Sequence, residues 1–161
     1  MRRPLVAFCI AAAAVLSPLC AADPVTVGET LRIRSKVLGE ERTILVSTPR
    51  GYERGADRYP VLYMTDGDAH LVHTRGTVDF LARNGRMPDL IVVGVANTHR
   101  TRDLTPTQTF RRRADGEAVL DEESGGATRF LEFFEKELIP FVEGRYRTAP
   151  FRILAGHSLG G

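Results

Sequence analysis

Apolar positions recur every second residue over the first part of the chain. Leu31, Ile33 and Val37 alternate with Arg32, Arg34 and Lys36, Gly39 permits a turn, and Ile44, Val46 and Thr48 resume the period of two. Alternation of this kind predicts an antiparallel hairpin at a sheet edge, closed by Pro49, Arg50 and Gly51. Beyond it the pattern changes. Residues 61–64, 90–93 and 151–154 are short, mostly apolar runs, which suit parallel strands covered on both faces.

Between those runs the period lengthens. From about residue 71 to 83, Leu71, Val78, Leu81 and Ala82 share one side, and Asn84 with Gly85 supplies a C-terminal stop. A stronger helix is predicted from about residue 127 to 139. Its apolar residues Ala127, Phe130, Leu131, Phe134 and Leu138 form one stripe, with Glu132, Glu135 and Lys136 facing away. Pro140 is expected to end or kink it. Strands alternating with helices predict an α/β fold, with a mostly parallel sheet behind an N-terminal antiparallel hairpin. The polar stretch between Val95 and the second helix, roughly 30 residues, reads as a functional or mobile loop.

Charge and cysteine content matter chiefly through the first 22 residues. Arg2 and Arg3 precede an apolar segment from Leu5 to Leu16, Pro18 breaks it, and Cys20, Ala21 and Ala22 offer small residues before Asp23. This order predicts a secretory signal peptide over residues 1–22 and an exported, periplasmic or secreted, protein. About a dozen apolar residues fall short of the roughly 20 that span a bilayer, so no stable membrane anchor is expected. Both cysteines, Cys9 and Cys20, leave with the leader, and residues 23–161 must rely on a hydrophobic core. Losing Arg2 and Arg3 also brings the 22 basic side chains level with the 20 acidic ones. A balanced surface gives no support to nucleic-acid binding.

The third apolar run leads directly into Gly156, His157, Ser158, Leu159, Gly160 and Gly161. A G-x-S-x-G sequence after a buried strand is the context of a nucleophile elbow, a sharp strand-to-helix turn that lifts a serine Oγ above the sheet. The two glycines remove the Cβ atoms that would clash across such a turn. The N–H of Leu159 would then face the oxyanion that develops when Ser158 attacks a carbonyl. His157 adjoins the serine on the turn and points elsewhere, so the general base must come from later in the chain. On this fold the order is serine, acid, histidine, which makes residues 23–161 the N-terminal part of a longer domain.

Further motifs extend the pattern. Residues 59–67 form a strand ending in Asp66 and Gly67. Residues 91–95 lead into Asn97, Thr98, His99, Arg100, Thr101, Arg102 and Asp103. Glu137 to Pro140, Tyr146 to Thr148 and the elbow complete the set. Together they resemble the putative-esterase branch of the α/β-hydrolases, which holds S-formylglutathione hydrolase, siderophore esterases, feruloyl esterases and mycolyltransferases. The segment from Asn97 to Asp103 is most similar to the siderophore-esterase-like members, although His99 stands where an acidic residue is usual. The resemblance implies a serine carboxylic-ester hydrolase with Ser158 as nucleophile and the amides of Leu159 and Asp68 as oxyanion donors. The partner it implies is a small-molecule ester.

Arg100, Arg102 and Arg111 to Arg113 follow the carboxyl end of a central strand, where α/β sheets bind ligands. They are candidates for holding a substrate anion, Arg100 and Arg102 above all, against a plain surface role. His70, His73 and His99 lack the spacing or the cysteines of a metal site, and no phosphate loop or dinucleotide fingerprint occurs. No metal and no cofactor is expected. An acyltransferase using the same serine and a non-catalytic binding protein of the same fold are the alternatives.

Overall fold

The computed structural model describes residues 22–161, so the leader assigned to residues 1–22 lies, but for its last residue, outside the described residues. The predicted hairpin forms from β1 (Glu29–Arg34) and β2 (Glu41–Ser47), with Leu31 opposite Ile44. Gly39 takes φ 75° in the connection, the left-handed region that glycine enters without steric cost. Next come β3 (Tyr59–Met64), helix α1 (Gly67–Arg83) and β4 (Ile91–Val95), close to where the apolar runs put them. The final strand, β7, spans Thr148–Ala155. The sheet order is β1-β2-β4-β3-β7. β2 pairs antiparallel on both sides while β3 pairs parallel with β4 and β7, so β2 alone runs against the other four.

The pleat divides the core between two faces. Ile44, Val46, Val61, Tyr63, Ile91, Val93 and Val95 point to one side, against Phe130, Phe133, Phe134, Leu138 and Val142. Met64, Leu90 and Val92 point to the other, against Leu71 and Val78 of α1. Wholly buried residues such as Phe133 and Leu138 each contribute about 1.5–3 kcal/mol. All five residues of β4 are buried. β7 departs from the expectation of two covered faces: Phe151 is 62% and Leu154 60% exposed, and among the described residues it is an edge strand paired with β3 alone.

Two other expectations need correction. Of the end or kink expected at Pro140, the end does not occur, because the helix that begins at α3 (Ala127–Phe133) runs past it. A wider π turn over Phe134–Leu138 carries it into α4 (Ile139–Arg145). Proline lacks the N–H that an unbroken α ladder needs; here it falls at the second position of the renewed helix, where that donor is not required. The polar stretch after β4 is not one loop either. It holds a short helix, α2 (Arg100–Leu104), and a second hairpin, β5 (Thr109–Arg112) with β6 (Ala118–Asp121), turned by Gly116 at φ 88°.

Candidate active site

The parallel strands β3 and β7 end side by side, with Met64 paired to Ala155 and the Thr65 N–H donating to the Ala155 carbonyl (3.2 Å). Each end leads into a strained residue. Asp66 and Ser158 are the non-glycine residues with positive φ among the described residues, at 54° and 57°. Such a conformation costs on the order of 1–3 kcal/mol and persists only where its surroundings enforce it. For Ser158 the surroundings are glycines. A Cβ on Gly156 would lie 1.6 Å from the Gly160 carbonyl oxygen, and one on Gly160 would lie 2.4 Å from Thr65 Oγ1. The tight turn over Ser158–Gly160 closes with the Gly160 N–H on the His157 carbonyl (3.0 Å), and Ser158 stays exposed.

Across from the elbow, α1 starts against β4 at a point of backbone contact. A Cβ on Gly67 would come within 2.4 Å of the Gly94 carbonyl carbon. Asp66 is the N-cap of this helix, yet its side chain makes no capping bond. The N–H groups of Ala69 and His70 both reach the Asp66 carbonyl at 3.0 Å. Asp68, second in the helix, is left with an amide that has no intrahelical acceptor. Its carboxylate turns aside to accept from Asn97, from the backbone N–H (3.3 Å) and from Nδ2 (3.4 Å).

The segment after β4 supplies the cations. Arg100 grips the Asp66 carboxylate with Nε on Oδ1 (2.6 Å) and Nη2 on Oδ2 (3.1 Å), and Nη2 also reaches the His157 carbonyl (3.2 Å). Asn97 Nδ2 adds a bond to Oδ1 (2.7 Å). The Arg100 guanidinium, with Asn97 in support, holds the Asp66 carboxyl below its ordinary range against the opposing effect of burial. Arg102 lies in a different network. It bonds Glu40 through both terminal nitrogens and Asp103 through Nε (2.8 Å), while buried Arg42 bonds Asp103 (2.6 Å), Glu40 (2.9 Å) and the Ala96 carbonyl (3.1 Å). Two arginines and two carboxylates thus fasten α2 to the β1–β2 hairpin, with Arg42 also over the Phe130 ring.

Ser158, Leu159, Asp68 and Arg100 therefore gather at the ends of β3, β4 and β7. Arg102 sits on the far side of α2, with its guanidinium on Glu40 and Asp103. His99 is drawn away as well, its Nε2 on Glu123 (2.6 Å) and its Nδ1 accepting the Arg102 N–H (3.1 Å). His70, His73 and His157 instead line a cleft of about 210 Å³ beside the elbow, with Met64, Thr65 and Thr74. From the sequence, Asp66 stands only as part of the Asp-Gly turn that ends a strand, with no role for its carboxylate, and Arg42 is not singled out. Arg42 could have been found, because it shares the inward parity of Ile44 and Val46, and a charge on that face requires a buried partner.

A family model described as Putative esterase matches residues 35–161. The ferri-bacillibactin esterase BesA of Bacillus subtilis (strain 168) is 33% identical over 121 residues, covering 64% of this chain and 40% of that protein. Among solved structures, an IroE-like serine hydrolase from Shewanella oneidensis superposes with a TM-score of 0.74 at 37% identity, over 83% of this chain and 43% of its own. The BES protein of Bacillus cereus gives 0.71 at 27% identity, over 87% and 57%. The chain thus spans less than half the length of the first two relatives.

Proposed function

The chain belongs to the Putative esterase family of the α/β-hydrolases, and from that membership we propose that it is the nucleophile-bearing part of an exported serine ester hydrolase. Ser158 attacks the ester carbonyl, and its proton passes to a histidine later in the protein and from there to the departing alcohol. The tetrahedral oxyanion is held by the amides of Leu159 and Asp68. Collapse leaves an acyl-serine, which water attacks with its proton going to the same histidine, releasing the acid and restoring the serine.

One observation carries this reading: two strained non-glycine residues, Asp66 and Ser158, end adjacent parallel strands. A serine lifted out of the sheet beside an uncapped helix start is the arrangement that acyl transfer needs. The order of basic, apolar and small residues over positions 1–22 supports export. Because a relative is a ferri-bacillibactin esterase, siderophore-type esters are the substrates to assay first.

The test begins with the gene product read past the codon for Gly161, which should supply an Asp or Glu and then a His. Ester turnover is expected to fall by on the order of 10⁶-fold in Ser158→Ala, and an organophosphonate should label Ser158 in the parent protein. Turnover unchanged in that variant, or a reading frame without the histidine, would defeat the proposal.

A further inference from the structure

We propose that Arg100 and Asn97 are positioning residues for the oxyanion site, acting by drawing the Asp66 carboxylate off the helix start that it would otherwise cap. The idea rests on the reading of the Asp68 amide as an oxyanion donor. An aspartate at an N-cap normally has extended backbone and turns its carboxylate onto the N–H of the second or third helical residue. Asp66 is the N-cap of a 17-residue helix, yet its backbone is left-handed (φ 54°, ψ 38°) and its side chain caps nothing.

The carboxylate goes elsewhere because three donors hold it there. Oδ1 accepts from Asn97 Nδ2 and Arg100 Nε, and Oδ2 accepts from Arg100 Nη2. Asp66 is only 3% exposed, so without these partners the carboxylate could not turn to water. The donors then open to it are the free amides of its own helix and the unpartnered hydroxyl of Thr65. The second helical residue is Asp68, so a capping carboxylate would occupy the amide assigned to the oxyanion and set a negative charge against the negative charge that forms there. Arg100 also bonds the His157 carbonyl. One guanidinium therefore sets the turn after β3 and the elbow after β7 relative to each other.

The experiment compares Arg100→Ala, Arg100→Lys, Asp66→Gly and the double variant R100A/D66G in the full-length gene product. R100A should lower kcat about 10²-fold with little change in KM, and R100K should fall between it and the parent. The double variant should regain at least about tenfold in kcat over R100A, because glycine adopts positive φ freely and brings no carboxylate to the helix start. Removing both partners also relieves a pair that served only to hold the fold together, so rescue supports the proposal only together with the hydrogen-exchange readout. A double variant no faster than R100A overturns it. If R100A does not fold, R100K with R100K/D66G makes the same comparison.

Hydrogen exchange at the Asp68 amide gives a readout independent of turnover. It should slow in R100A and quicken again in the double variant, and an unchanged rate in R100A counts against the mechanism. Failure of the underlying reading looks different. An oxyanion-mimicking boronate whose oxygen lies out of reach of the Asp68 amide would remove the oxyanion assignment, whatever the exchange rates.

Discussion

At the scale of single residues the site is defined by atoms that are missing. Gly156 and Gly39 are both glycines at turns, but the structure treats them differently. Gly39 needs its positive φ and has open space where a Cβ would go; Gly156 has the Gly160 carbonyl oxygen 1.6 Å away. Gly39→Ala should therefore cost about 1–2 kcal/mol in urea unfolding, the ordinary penalty for a left-handed alanine, and leave kcat alone. Gly156→Ala must push backbone against backbone. It should displace Ser158 and the Leu159 amide together and lower kcat by about 10²–10³-fold, the loss associated with one oxyanion donor. Equal kinetics in the two variants would mean that the turn tolerates opening and that the close approach is unimportant. The need for these glycines was legible in the sequence, because G-x-S-x-G states a spacing. The strain at Asp66 was not. It depends on Asn97 and Arg100, more than 30 residues away, and nothing local to Asp66 and Gly67 separates an ordinary turn from a carboxylate held in tension.

At the scale of elements the question is what holds α2 in place, since α2 carries Arg100. Of its five residues only Asp103 is fully buried, with Leu104 packed against the core and the Gly126 N–H on the Arg102 carbonyl. The cluster of Arg42, Glu40, Arg102 and Asp103 adds a buried ionic anchor, with Arg42 and Asp103 side chains 1% and 3% exposed. Removing one member of a buried pair strands the other, at a cost of about 3–5 kcal/mol. Asp103→Ala should show this as a lowered Tm. Replacing Arg42 by Met and Asp103 by Leu together should restore stability, because a packed apolar pair is often as good as a buried ionic one. Activity should stay low in that double variant if the charges orient α2, and full recovery of kcat would show that they serve stability alone. The sequence pattern located β3 and β4 as short apolar runs and α1 by its helical period, each bounded by turn residues. It missed the β5–β6 hairpin because Arg111 to Arg113 masks the alternation, although Asp115 and Gly116 carry the turn signal and Phe110 faces Leu120 across the strands. It ended the last helix early because a proline rule assumes an unbroken α ladder, which the π turn interrupts.

At the scale of the whole molecule, three carboxylates tie distant parts of the chain together and predict how it responds to acid. Asp66 joins the β3–α1 turn to α2, and Glu40 joins the first hairpin to α2. Glu137, in the π turn, accepts from the Ser35 hydroxyl and from the N–H groups of Lys36 (2.8 Å) and Val37 (3.2 Å) in that same hairpin. All three are held below their ordinary range. Arg100 does this for Asp66 and Arg102 for Glu40, while at Glu137 burial pushes upward and the hydrogen bonds from Ser35, Lys36 and Val37 outweigh it. A carboxylate depressed in the folded state stabilises fully above its unfolded pKa, about 3.9 for Asp and 4.3 for Glu. That contribution is lost as pH falls through the lower folded value. These groups should therefore add no slope to stability above about pH 5, and a steep loss below about pH 4. Arg100→Ala weakens this for one of them. The Asp66 carboxyl then loses the largest cause of its depression while Asn97 still bonds it, so its folded pKa moves up toward the ordinary range and its contribution at neutral pH shrinks. The urea midpoint of that variant should sit below the parent's at pH 7 and close part of the gap as pH approaches 4. Coincident midpoint-against-pH curves for the two proteins would show that the Asp66–Arg100 pair contributes nothing to folding, and would leave its place between the two strained turns as its role.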